Sequence, residues 1–188
     1  MRTIATVTLS LSFVALAACS KPAPKEYAYP AWNFAATFTG EPKVTETKAS
    51  GPQPASFLAV GSSAGRDYSI YVMDASGATV GPNQLLENAA QALASSQDID
   101  LGPNTPVTTD GVAGRQVLFN KNDKPAALVR FFLAGGKLYE VNATVPAGAA
   151  DPTARAFLDS FRLLTPPVAA APAANAATNA AAPATNGA

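Results

Sequence analysis

Very few side chains in this sequence are equipped for chemistry. It has one cysteine, Cys19, and no histidine in 188 residues. Without an imidazole there is no Ser-His-Asp or Cys-His nucleophilic system, and no His-based zinc, copper, iron or haem ligation. Gly61-Ser62-Ser63-Ala64-Gly65 spells G-x-S-x-G. A nucleophile elbow needs a strand-to-helix turn and a histidine base, and this stretch lies between two strand-like runs, so it reads as a hairpin loop. Asp98-Ile99-Asp100 puts two carboxylates on one side of an extended chain, with too few oxygen ligands for a calcium loop; it reads as a solvated turn after a helix. Arg130 interrupts an apolar run. It is the one ligand-binding candidate, suited to an anion, unless its stem packs and its head reaches the sheet margin. The expectation is a non-enzyme with no catalytic residue, no metal site and no cofactor.

Cys19 closes the string Leu16-Ala17-Ala18-Cys19, after a basic start at Arg2 and an apolar run containing Ile4, Val7, Leu9, Leu11, Phe13 and Val14. The run is short of the ~20 apolar residues that span a bilayer and is diluted by hydroxyl side chains. The arrangement resembles a bacterial lipoprotein signal peptide, residues 1–18, cleaved before a cysteine whose sulfur is acylated. The alternative is an ordinary secretory signal cut at Ala15-Leu16-Ala17, leaving a free thiol. An unpaired cysteine in an oxidising compartment needs a reason, and acylation supplies one. The resemblance implies several fatty acyl chains, palmitate among them, and two or more chains hold a protein stably on a membrane. Ser20 rather than Asp follows the cysteine. By the enteric sorting pattern this implies an outer-membrane protein, lipid-anchored and facing the periplasm.

Thirteen Lys and Arg balance thirteen Asp and Glu, so no basic field exists to hold a nucleic acid backbone. A single cysteine rules out an internal disulfide, and the domain must be stabilised by its core alone. Residues 19–30, rich in Pro and Lys, read as a lipid-anchored tether. Residues 165–188 contain only Ala, Pro, Thr, Asn, Gly and one Val, and read as a disordered tail because they cannot bury enough area to offset ordering entropy. One domain remains, residues 31–164.

Within it, Phe57–Val60 and Tyr68–Met73 read as strands. Pro82–Ser96 reads as a helix, with Pro at the first position and an apolar stripe of Leu85, Leu86, Ala89, Ala90 and Leu93. Arg115–Asn120, Ala126–Ala134 and Lys137–Val145 read as strands, the last two joined by a tight turn at Gly135-Gly136. That turn predicts that Phe132 opposes Tyr139 and Leu133 opposes Leu138. One face then carries Leu128, Arg130, Phe132, Tyr139, Val141 and Val145. The other carries Val129, Phe131, Leu133, Leu138, Glu140 and Asn142. Both faces are substantially apolar, which predicts that both are covered. Asp151-Pro152 reads as a cap and first turn of a second helix, with Ala154, Phe157, Leu158 and Phe161 on one side.

Trp32-Asn33-Phe34, Phe38-Thr39-Gly40-Glu41-Pro42, Asp110–Arg115, Arg130-Phe131-Phe132 with Lys137–Val141, and Phe157–Leu163 follow one another in an order that resembles the PsbP/Mog1-like proteins. The resemblance covers most of residues 31–164. It implies an α+β fold, an antiparallel sheet packed between helices as a three-layer α/β/α sandwich, and an adapter or assembly role. It carries no metal-binding histidine to this chain. The expected function is a lipid-anchored cell-envelope protein acting as a non-enzymatic binding or adapter module. Its expected partners are the membrane, through Cys19, and an envelope protein, with no nucleic acid. The alternative is a periplasmic small-molecule or ion-binding lipoprotein with a pocket between sheet and helix.

Overall fold

A computed structural model describes residues 22–63, 65–146, 148 and 150–165. Cys19, the signal segment and the tail from residue 166 lie outside the described residues.

The chain begins with β1 (Pro24–Tyr29), a 3-10 turn (Pro30–Trp32) and β2 (Phe34–Thr39). Then come β3 (Lys43–Thr47), β4 (Ser56–Ser63), β5 (Arg66–Asp74) and helix α1 (Pro82–Gln97). Four strands follow: β6 (Asp100–Thr109), β7 (Val112–Lys121), β8 (Lys124–Ala134) and β9 (Lys137–Thr144). Helix α2 (Pro152–Ser160) and the short β10 (Arg162–Leu163) complete it. The fold is α+β and the sheets dominate it. A seven-stranded sheet in the order β3-β4-β5-β9-β8-β7-β6 is antiparallel throughout, and β1-β2-β10 form a second, small sheet.

The expected hairpin register is the observed one, with Phe132 opposite Tyr139 and Leu133 opposite Leu138. Gly135 and Gly136 make this possible with φ of 54° and 72°, the paired left-handed conformations a two-residue hairpin turn demands. The alternation of β8 and β9 then sorts their side chains onto two faces. Phe132, Tyr139, Val141 and Val145 enter one buried cluster, with Phe34, Phe38, Phe57 and Ile70. Val129, Phe131 and Leu138 enter the other, with Leu86, Ala90 and Ala94 of α1.

The two faces are covered differently. The first lies under α2 and the small sheet: α2 packs on β9, β8 and β2. Phe161 is the junction, 5.6 Å and near-parallel to Phe132, 5.9 Å from Phe34 and 5.7 Å from Tyr139. On the second face α1 packs on β6, β7 and β8. Beyond it, on β4 and β5, Leu58, Tyr71 and Met73 are only partly buried and Val60 is exposed. The expectation that helices cover both faces therefore needs correcting. One cover is half sheet, and the other stops short, because a helix of 16 residues lying along β7 and β8 is too narrow to reach β4.

The tether expectation also changes. Residues 24–29 form β1, so the folded part begins earlier than residue 31. Tyr29 packs 5.0 Å from Phe34 and 4.8 Å from Phe57, and Arg162 holds Glu26 at 2.7 and 3.0 Å. No helix among the described residues is long and apolar enough to cross a membrane.

Asp151 caps α2 as its position foretells, accepting from the backbone N–H of Thr153 and Ala154. It also meets Arg66 of β5 at 2.8 Å with its side chain fully buried. The Arg66 hydrogen bond, aided by those backbone donors, holds the Asp151 carboxyl below its ordinary value of 3.8. A depressed folded pKa contributes stability above the unfolded value, lost as pH falls through the folded one. Asp151→Asn keeps a capping oxygen and loses the charge, so it is expected to cost about 1–2 kcal/mol at pH 7. In urea titrations the gap to the parent should shrink below pH 4. An equal gap at both pH values would show that the cap geometry, not the charge, is what matters.

Candidate functional site

Most sequence candidates are occupied by the fold. Arg130 points to the α2 face, where Nη2 donates to Asp159 Oδ1 at 2.6 Å and Nε to Gln116 Oε1 at 3.0 Å. Its side chain is 15% exposed. It clamps the sheet to α2 and offers an anion little of its guanidinium. Ser62 and Ser63 end β4, which returns directly as β5, so the G-x-S-x-G string sits in a β-hairpin without the strand-to-helix turn of an elbow. Gly61 is there for close packing: a Cβ would come within 2.8 Å of the Phe38 ring. Asp98 is the C-cap of α1 in left-handed conformation, its N–H donating to Ala94 O, and Asp100 begins β6. No group of three or more His, Cys, Asp or Glu able to hold a metal occurs among the described residues.

What remains is the part of the second face that α1 leaves open. Glu140 and Asn142 on β9 lie there at alternate positions, directly opposite Tyr71 and Ser69 on β5. Cross-strand neighbours of this kind have Cβ atoms about 5 Å apart, so the four polar side chains form one patch. Leu58 of β4 is opposite Tyr71 and Val60 opposite Ser69, and Phe131 and Val129 of β8 close the other side. The patch is therefore polar at its centre and apolar around it.

The electrostatics are unusual. Burial pushes the Glu140 carboxyl up to about 7, and desolvation is its sole perturbation: no hydrogen bond or charge offsets it. The Asn142 Oδ1 atom is buried with no hydrogen-bond partner. Arg115 of β7 lies in the same cross-strand row, on the far side of Phe131, and is engaged by Glu87 of α1 at 2.9 Å. Beside this patch, sharing Met73, a groove of ≈ 370 Å³ runs between the β3–β4 connection, the segment after β5 and Leu85 of α1. The sequence carries the signal for the patch, two polar residues alternating on an apolar strand face. Their lack of partners cannot be read from one strand.

Other cavities are less promising. A small one of ≈ 120 Å³ beside α2 is lined by Thr37, Thr39, Thr153, Phe157 and Tyr68, whose buried hydroxyl has no partner. It is room for a few waters, below the roughly 300 Å³ of ordinary ligand sites. Two clefts of ≈ 300 and ≈ 320 Å³ lie between α1 and the β6–β7 edge and share Asn104.

No protein-family model matches the chain, and no curated protein matches it. Among solved structures, the chain is similar to cyanobacterial PsbP (CyanoP) from Synechocystis sp. PCC 6803, with a TM-score of 0.52 at 10% identity, covering 79% of this chain and 97% of that one. A protein of unknown function and putative regulator from Pseudomonas aeruginosa matches at a TM-score of 0.32 and 12% identity, over 66% of this chain and 84% of that one, too weakly to bear on the fold. With an identity this low, the first likeness speaks to architecture alone: the chain has a PsbP-like fold.

Proposed function

We propose that this protein is a lipid-anchored component of the cell envelope, acylated at Cys19 and facing the periplasm from the outer membrane, whose domain is a non-enzymatic binding or adapter module. We read its architecture as a variant of the three-layer α/β/α sandwich in which β1, β2 and β10 share one outer layer with α2. The observation that carries the binding role is the open face of β4, β5 and β9, where half-buried apolar side chains surround acceptors without donors. Solvated sheet faces are normally polar, and apolar patches of this kind mark interaction sites.

The anchor fits that use. Cys19 precedes Pro24 of β1 by five residues, so the sulfur stays within about 18 Å of the sheet by chain length. Strand β1 packs on the α2 side of the large sheet. A lipid attached there leaves the open face clear and raises its local concentration toward envelope partners.

The small-molecule alternative is favoured by one observation, the adjoining clefts between α1 and β6–β7. Their one cation, Arg115, lines the first of them and is already paired with Glu87.

The anchor is tested by fractionation and intact mass. The parent chain is expected in the membrane fraction, starting at Cys19 with a mass increased by acyl chains. Cys19→Ala should move it to the soluble fraction. A soluble parent with a bare thiol would overturn the proposal.

A further inference from the structure

We infer that the Glu140–Asn142 patch is a receptor for one lysine or arginine side chain presented by a protein partner. This inference deepens the binding role proposed above and depends on it for its setting, but not on the lipid.

Two acceptors define the patch. The Glu140 carboxylate on β9 has neither hydrogen bond nor ion pair among the described residues, and Asn142 Oδ1, two residues on and on the same face, is buried without a donor. Ser69 and Tyr71 face them from β5. Hydroxyls rotate to accept or donate, but a desolvated carboxylate requires a cation or strong donors. An ammonium or guanidinium group supplies both: charge-assisted bonds to Glu140 and, once the Asn142 side chain turns its buried Oδ1 outward, a further N–H. Its alkyl stem has matching surroundings in Leu58, Met73 and the ring of Tyr71, all partly buried.

Among the described residues no cation is paired with the patch: Lys43 of β3 shares its face but lies beyond Val60, three strands across from Asn142. Arg115, in the same row of the sheet, is held by Glu87. Arg130 lies on the opposite face with Asp159. Residues 166–188 contain no Lys or Arg. In this proposal the donor comes from another molecule. The shape of the site favours a macromolecule over a free amine: small ligands bury most of their surface in concave pockets, whereas this patch sits on an open sheet with Val60 exposed at its border. A cationic anchor flanked by apolar contacts is what such a surface accommodates.

The test is an NMR titration of the full chain at pH 8 with the capped tripeptides Leu-Lys-Leu, Leu-Arg-Leu and Leu-Gln-Leu. Saturable shifts are expected at the amides of Tyr71, Glu140 and Asn142, with the cationic peptides binding about tenfold more tightly than the neutral one. Glu140→Gln should lower the affinity for the cationic peptides by about tenfold, and Asn142→Ala by a few-fold, with folded spectra for both. Equal binding of the glutamine peptide, or no saturable shift in the parent, would overturn the inference. So would binding of n-butylammonium as tight as that of the lysine peptide, because the site would then be a small-amine site. None of these outcomes depends on whether Cys19 is acylated, so failure here and failure of the anchor are separate results.

Discussion

Glu140→Gln should melt higher than the parent chain at pH 8, by roughly 10 °C, and at nearly the same temperature at pH 4. The Glu140 carboxyl titrates at about 7 in the folded protein against an ordinary 4.5, because burial disfavours the charged form. A folded pKa above the unfolded one reverses the usual acid-residue behaviour. Below pH 4.5 both states carry the proton and Glu140 is neutral to stability. Between 4.5 and 7 the unfolded chain releases the proton more readily, so stability falls as pH rises. Above 7 the penalty is complete, at about 3 kcal/mol for a shift of this size. Glutamine has the shape of the protonated acid and cannot ionise, so it escapes the penalty. Tyr71 is its cross-strand neighbour and Arg115 beyond Phe131 is paired with Glu87; Lys43 of β3, beyond Val60, and Asp67 of β5, two residues before Ser69, share the face farther out. Melting curves of both proteins from pH 4 to 8 would measure the effect. A melting difference independent of pH would refute it.

This result bears on function because the same substitution is expected to weaken binding of a cationic peptide. A variant that gains stability while losing affinity has not failed to fold. Residues kept at a cost to stability are typical of sites, where a group is held in an environment suited to its ligand rather than to itself. A bound cation would draw the Glu140 pKa down again, so binding should strengthen as pH rises through 7.

Phe161→Ala should be the most damaging single substitution in the domain, costing about 4 kcal/mol. Phe161 is 3% exposed and ends α2, where the helix gives way to β10. Its ring meets Phe132 of β8, Tyr139 of β9 and Phe34 of β2, so it joins the large sheet, the small sheet and the helix at one point. Alanine removes the ring from all three at once, and the surrounding strands, fixed by their ladders, cannot close the void. Urea unfolding should show a lower midpoint with an unchanged slope. Phe161→Leu should cost less than half as much. A loss under about 1 kcal/mol for alanine would mean that the small sheet collapses onto the gap, and that the two sheets are less rigidly joined than the ring contacts indicate.

Local chemistry in the sequence determined several features outright. Gly135-Gly136 fixed the hairpin and its register, because successive left-handed residues leave few other turns. Pro82 and Asp151-Pro152 placed both helix starts, since a proline needs no N–H donor there and an aspartate satisfies those that follow. The alternation along β8 and β9 assigned each side chain to its face.

Other features depended on partners far away in the chain. Strand β1 reads as a polar tether, and is a strand because β2 pairs with it and because Tyr29 meets Phe34 and Phe57. Strand β6 contains Pro103 and Pro106 and survives as an edge, where one side of the backbone needs no ladder. Arg130 invites a ligand until Asp159, 29 residues on, takes its guanidinium. Glu140 is the reverse case: any strand can carry a glutamate that reaches water or a lysine, and only the packed sheet leaves this one largely desolvated and unpaired among the described residues. Sequence sets backbone geometry and face through short-range sterics. Whether a charge is paired depends on which surfaces assemble around it, and that is decided by the tertiary structure.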